Sequence, residues 1–226
     1  MIPRVVLDLE VGSAIARVLP ELDLLGVAYG ATRGGAEGII LPIAETGRQS
    51  NYSADLFDRP GLPLLTVKCE VTELERAAAL GSAPDRLLIT GDRGGCVKDF
   101  SHVDEYVSRS SGSHQEIGVL VEAETASLKA LAKTGARWAY LGCGAAHSCE
   151  STEAAEAELA RLTSAALSAN KLGLRVALHG PTGRQLPVAL GALPHVEEIA
   201  PTPDLWVSAL RIGFENAVQD FIRLLH

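Results

Sequence analysis

The chain has 226 residues, 47% of them hydrophobic, and its 20 basic against 28 acidic side chains leave a formal charge of −8. This suits one globular domain, residues 1–226, with a sizeable core; the negative balance and only ten aromatic residues exclude nucleic acid as a partner. No apolar run approaches the ~18 residues of a membrane span, and Met1-Ile2-Pro3-Arg4 leads into an apolar segment without a charged-then-apolar signal, so a cytoplasmic protein with no membrane association is expected.

Arg4 to Leu9 reads as an apolar strand with one carboxylate, Asp8, near its carboxyl end. A lone Asp there meets a partner, faces a solvated site, or caps the following backbone. Gly12 to Leu25 is apolar but irregular and interrupted by Pro20, so a helix is placed from near Asp23 to Arg33, closed by Gly34-Gly35. Gly38 to Ile43 is the second strand with Pro42 at its end, because proline inside a ladder forfeits a hydrogen bond, and Glu45 to Gln49 is a polar loop. Leu64 to Glu70 is the third strand, in which period-two alternation puts Thr66, Lys68 and Glu70 on one face and makes an amine and a carboxylate neighbours.

Val71 to Leu80 reads as a helix capped by Thr72, and Arg86 to Thr90 as the fourth strand. The turn Gly91-Asp92-Arg93-Gly94-Gly95 lacks both glycine spacings of the nucleotide-phosphate loops. A helix from His102 to Arg109, a strand from Glu116 to Glu122, a helix from Thr125 to Thr134 and a strand from Trp138 to Leu141 follow. The longest helix, Ser151 to Asn170, has Ser151 or Thr152 as its cap and Leu159, Leu162 and Leu167 toward the sheet. After the strand Arg175 to Leu178 come a short helix from Leu186 to Leu193, a short strand at Glu198-Ile199-Ala200 and a helical region from Asp204 to Leu225.

Eight strands, each followed by helical sequence and spaced about 28 residues apart, favour a closed (β/α)8 barrel over an open doubly wound sheet. The carboxyl-terminal face of such a barrel gathers Asp8, Pro42, Glu45, Lys68, Asp92, Cys143, His179 and Thr202. His179 enters the glycine-rich turn Gly180-Pro181-Thr182-Gly183 at a strand end, where chemistry is commonly placed, although a satisfied strand-end histidine has the same look. Cys69, Cys96, Cys143 and Cys149 show no paired C-x-x-C spacing, so reduced thiols and no metal are expected.

Several segments resemble the pyridoxine 5′-phosphate synthase family. They are Gly35-Ala36-Glu37-Gly38-Ile39, Val71-Thr72-Glu73, Ile117 to Gly135, Glu158-Leu159-Ala160-Arg161, and Leu172 to Val176 with His179-Gly180. The resemblance implies a (β/α)8 barrel of vitamin B6 biosynthesis that condenses 3-amino-2-oxopropyl phosphate with 1-deoxyxylulose 5-phosphate by acid–base catalysis, without metal or cofactor, as a homo-oligomer. Carried over by position, it keeps the first-strand acid as Asp8, an arginine as Arg17 and the strand-seven proton donor with its glycine as His179-Gly180. The second-strand histidine falls on Pro42, two ligand-binding residues fall on Ala44 and Gln49, and the catalytic glutamate falls on Lys68, with Glu70 two residues along. A ligand-binding threonine is replaced by Asp92, and the Gly-His of the phosphate loop falls near Thr202-Pro203, where proline removes a backbone donor.

Two of the family's three acid–base residues are thus replaced, and each is worth roughly 10²–10⁴ in rate, so the parent activity is expected to be lost or altered. One expectation is an enzyme of altered chemistry in which His179, Lys68 and Glu70 act on a small phosphorylated or carbonyl ligand bound by Asp8, Arg17, Asp92, Gly180 and Thr202. The alternative is a non-catalytic ligand-binding or scaffold protein, favoured by apolar Val6, Leu9, Pro42 and Ala44 at the mouth.

Overall fold

The apolar runs of the sequence form strands that are buried on both faces, as parallel strands wrapped in helices must be. In the computed structural model, which describes residues 2–43, 63–80, 84–110, 115–144, 151–182 and 187–226, these strands are β1 (Arg4–Asp8), β2 (Gly38–Pro42), β3 (Leu64–Glu70), β4 (Arg86–Thr90), β5 (Glu116–Val121), β6 (Trp138–Gly142), β7 (Arg175–His179) and β8 (Val196–Ala200). They pair in chain order, all parallel, and β1 closes on β8, giving a (β/α)8 barrel. A register shift between Val176 and Ala177 marks the β7–β8 seam.

Strand alternation separates two apolar layers. Val6, Ile40, Leu88, Leu120, Trp138, Tyr140, Ala177 and Ala200 fill the barrel interior. Their sequence neighbours, among them Leu7, Ile39, Leu87, Val119, Leu141, Val176 and Ile199, face outward into the larger core beneath the helices.

The described helices are α1 (Glu10–Ala16), α2 (Leu24–Arg33), α3 (Leu74–Ala78), α4 (Ser101–Arg109), α5 (Thr125–Lys133), α6 (Thr152–Lys171), α7 (Pro187–Gly191), α8 (Asp204–Ile212) and α9 (Phe214–Leu224). Side-chain caps set two of their starts: the Asp23 carboxylate accepts the Gly26 N–H at 2.9 Å, and the Ser151 hydroxyl accepts the Ala154 N–H at 3.1 Å. None of the described helices is long and apolar enough to cross a membrane.

Four local expectations change. The stretch read as irregular after β1 contains α1, whose Gly12 lies so close to the Trp206 ring of α8 that a Cβ there would collide with it. The helix expected from Val71 begins as a 3₁₀ turn, Val71–Glu73, before α3, and its cap is Glu70 rather than Thr72: the Glu70 carboxylate and the Glu73 backbone N–H, and the Glu73 carboxylate and the Glu70 N–H, form a reciprocal box. Leu167 of α6 stands 38% exposed, while Leu162, Ala165, Ala166 and Ala169 are the apolar residues that helix buries. The closing helical region is broken into α8 and α9 by Gly213, whose φ of +81° a side chain tolerates poorly.

At the amino-terminal end the barrel is closed by charge. Arg86, 1% exposed, donates to Glu198 at 2.6 Å, to the Tyr140 hydroxyl at 2.7 Å and to Glu116 at 3.2 Å. The Arg86 and Arg175 guanidiniums sit 3.8 and 4.1 Å from the Trp138 ring centroid. This plug lies at the opposite end of the strands from Asp8, Lys68 and His179.

Candidate active site at the barrel mouth

Asp8 is the last residue of β1 and has no exposed surface, so its charge requires partners. One carboxylate oxygen, Oδ1, accepts the backbone N–H of Glu10 at 2.8 Å, which starts α1. The other, Oδ2, accepts from Lys68 Nζ at 2.5 Å and lies 2.9 Å from His179 Nε2. The backbone carbonyl of Asp8 accepts the Trp206 indole N–H at 2.8 Å, which ties β1 to α8. Asp8 therefore both accepts a local backbone bond at the turn into α1 and centres a buried charge cluster.

Lys68, 6% exposed, reaches Asp8 across β2 and donates a second bond to Glu10 Oε2 at 2.6 Å. An ammonium has three donors, and the third has no partner among the described residues. Burial alone would lower the Lys68 pKa, but Asp8 and Glu10 more than offset it and hold the amine above its ordinary value of 10.5. Burial likewise opposes ionisation of Asp8, yet the Lys68 charge, reinforced by His179, holds that carboxyl well below its usual range. The cluster is an ammonium between two carboxylates, not a neutral amine.

The Lys68 side chain opens onto a cavity of about 460 Å³, lined also by Glu10, Arg17, Pro42, Glu70, Glu73 and Thr90. That volume suits a small ligand. Glu70 borders this cavity but is not the partner of Lys68, because β3 ends there and its carboxylate turns to the backbone of the 3₁₀ turn. Arg17 is exposed on the cavity rim and makes no ion pair among the described residues. Thr90, buried, donates to the Cys69 carbonyl at 3.3 Å.

The remaining candidates lie elsewhere around the mouth. Asp92 stands in a 3₁₀ turn, Asp92–Gly94, and borders a second hollow with Lys98, Asp99 and His102. Gly180 follows β7 with a φ of +121°, and its N–H donates to Ala200 at 3.1 Å. Thr202 follows β8 and its N–H also donates to the Ala200 carbonyl, at 2.9 Å. Glu45, Ala44, Gln49, Cys149 and Gly183 lie outside the described residues. Burial pushes the thiols of Cys69, Cys96 and Cys143 up to about 12, which leaves them protonated at neutral pH. Among the described residues no group of three or more His, Cys, Asp or Glu side chains is arranged to hold a metal ion.

Sequence reasoning missed Glu10. Its signal was a second carboxylate two residues past Asp8, at a helix start concealed by the apolar run that follows.

Residues 72–226 match the family model described as pyridoxal phosphate biosynthesis protein PdxJ. The pyridoxine 5′-phosphate synthase of Prochlorococcus marinus (strain MIT 9313) is 30% identical over 224 residues, covering 93% of this chain and 89% of that protein. That of Synechococcus sp. (strain RCC307) is 28% identical over 222 residues, covering 93% and 87%. Among solved structures, orotidine 5′-monophosphate decarboxylase from Sulfolobus solfataricus superposes with a TM-score of 0.63 at 10% identity, over 99% of this chain and 97% of that one. The last likeness bears on the fold alone.

Proposed function

Because the chain belongs to the family of pyridoxal phosphate biosynthesis protein PdxJ, we propose that it is a divergent barrel of that family in which the condensation of 3-amino-2-oxopropyl phosphate with 1-deoxyxylulose 5-phosphate is lost or altered, the mouth instead performing acid–base chemistry on a small carbonyl compound. The observation that carries this is the Lys68 ammonium at a cavity wall, held by Asp8 and Glu10 and with its third donor unpartnered among the described residues.

Removing a proton α to a carbonyl, or adding a carbon nucleophile to one, builds negative charge on oxygen. A fixed ammonium stabilises that charge without reorganising as it develops. Schiff-base formation is disfavoured, because it requires the free amine that Asp8 and Glu10 suppress. His179 is not one of the residues lining that cavity; in the tautomer that donates Nε2–H to Asp8 it keeps its lone pair on Nδ1, and that nitrogen is the base offered to a ligand that extends from the cavity toward β7, taking the α-proton and returning it to product. Asp8 orients both groups through a single oxygen. Glu70 and Arg17 border the same cavity as ligand contacts.

The alternative, a non-catalytic ligand-binding barrel, draws support from the pairing of Lys68 with two carboxylates, which by itself suffices for a structural role. The test is an NMR assay of α-proton exchange across a panel of small ketones and aldehydes, run beside the family condensation. Exchange that falls by about 10²-fold or more in both Lys68→Met and His179→Gln supports the enzyme. Ligand binding without exchange supports the binding protein. Pyridoxine 5′-phosphate formed at a rate that sustains a strain lacking the synthase refutes the proposal of altered activity.

A further inference from the structure

In (β/α)8 barrels that bind phosphate, the anion commonly sits between the loops after β7 and β8, against backbone N–H groups and a helix amino terminus. Here that corner already holds an anion belonging to the chain. Asp204 is the first residue of α8, and its Oδ2 accepts both the backbone N–H of Thr182, at 2.5 Å, and the Thr182 hydroxyl, at 3.0 Å. Thr182, three residues past the end of β7, has no exposed surface, so the contact is built into the fold. The carboxylate thus lies in the first turn of α8, where the helix dipole favours negative charge, and it occupies both Thr182 donors at the place an incoming phosphate would take. The preceding Pro203 offers no N–H in their place.

The cavity beside Lys68 gives independent support. Its charged lining is three carboxylates, Glu10, Glu70 and Glu73, against Arg17 and Lys68, with the Asp8 carboxylate directly behind Lys68. A phosphate dianion at the β7–β8 corner meets the Asp204 carboxylate, and one in the cavity meets carboxylates that outnumber the two cations.

We propose that Asp204 is a specificity-determining residue that excludes phosphate from the β7–β8 corner, so that the ligand of this barrel is a small carbonyl compound carrying no phosphate group. The carbonyl part rests on the function proposed above; the exclusion of phosphate rests on Asp204 and the cavity charges.

The test uses the full chain and inorganic phosphate as the probe, titrated by calorimetry and by chemical-shift perturbation into wild type, Asp204→Asn and Asp204→Ala. The Asn variant keeps the side-chain shape and serves if Ala fails to fold. Removing the resident charge is expected to raise phosphate affinity by about tenfold or more over wild type. Wild type binding phosphate as tightly as the folded variants, or no gain in any folded variant, overturns the proposal. Lys68→Met is titrated in parallel: it tests catalysis through α-proton exchange and leaves the Asp204 comparison unaffected, so the two proposals fail separately.

Discussion

Replacing Lys68 with Met removes the cation from a carboxylate that has no exposed surface, while the straight apolar stem of Met preserves most of the packing. Breaking a buried ion pair by deleting one partner typically costs 3–5 kcal/mol, because the other charge is left without compensation. Asp8 keeps the Glu10 N–H and His179, and Glu10 is open enough to be rehydrated, so the lower end applies: about 3 kcal/mol. For a chain of this size that is a fall in Tm of about 6–12 °C. The pH dependence follows from the direction of each shift. The Asp8 carboxyl is depressed, so its contribution is present above the ordinary value of 3.8 and is lost as pH falls below it. The Lys68 amine is raised, so its contribution is present below 10.5 and is lost as pH rises beyond. Urea denaturation of wild type and Lys68→Met from acid to neutral pH should therefore show a shallower acid limb in the variant. Adding Asp8→Asn to Lys68→Met should recover part of the loss, since it removes the uncompensated charge. A variant within about 1 kcal/mol of wild type at neutral pH, or a double variant worse than the sum of the singles, would refute the assignment of the cluster's stability to this pair.

Glu198→Gln should destabilise by about 3 kcal/mol, because it strips Arg86, 1% exposed, of its buried carboxylate partner while the mouth lies at the opposite end of the strands. Denaturation should show the loss, and an accompanying drop in ligand affinity would contradict the separation of plug from site. Cys69 and Cys143, their thiols pushed up to about 12 by burial, should resist alkylation at neutral pH in the folded chain and react once it unfolds. Peptide mapping after iodoacetamide treatment reads this directly, and rapid native labelling of Cys143 would contradict its burial.

Most of the fold was legible in the sequence, because a β/α repeat is a local pattern. Short apolar runs such as Arg86 to Thr90 and Leu64 to Glu70 coincide with β4 and β3 to the residue, the start placed near Asp23 matches α2, and of the two caps considered for α6 the structure uses Ser151. Local reasoning failed where neighbours in space override local preference. Gly12 and the apolar residues around it form α1 because Trp206, far along the chain, packs there, and Glu70 turned to cap a 3₁₀ turn because β3 ended beneath it. Strand alternation placed Lys68 inside the barrel, and the carboxylate at the end of β1 marked Asp8. Which carboxylates would hold the lysine was not a property of either strand. That was settled by closure of the barrel, which brings the ends of β1, β3 and β7 within hydrogen-bonding reach and excludes water from them, so that Asp8, Lys68 and His179 satisfy one another. The pairing of Asp204 with Thr182 has the same origin: residues 22 positions apart meet only because β7 and β8 are adjacent and both run toward the mouth.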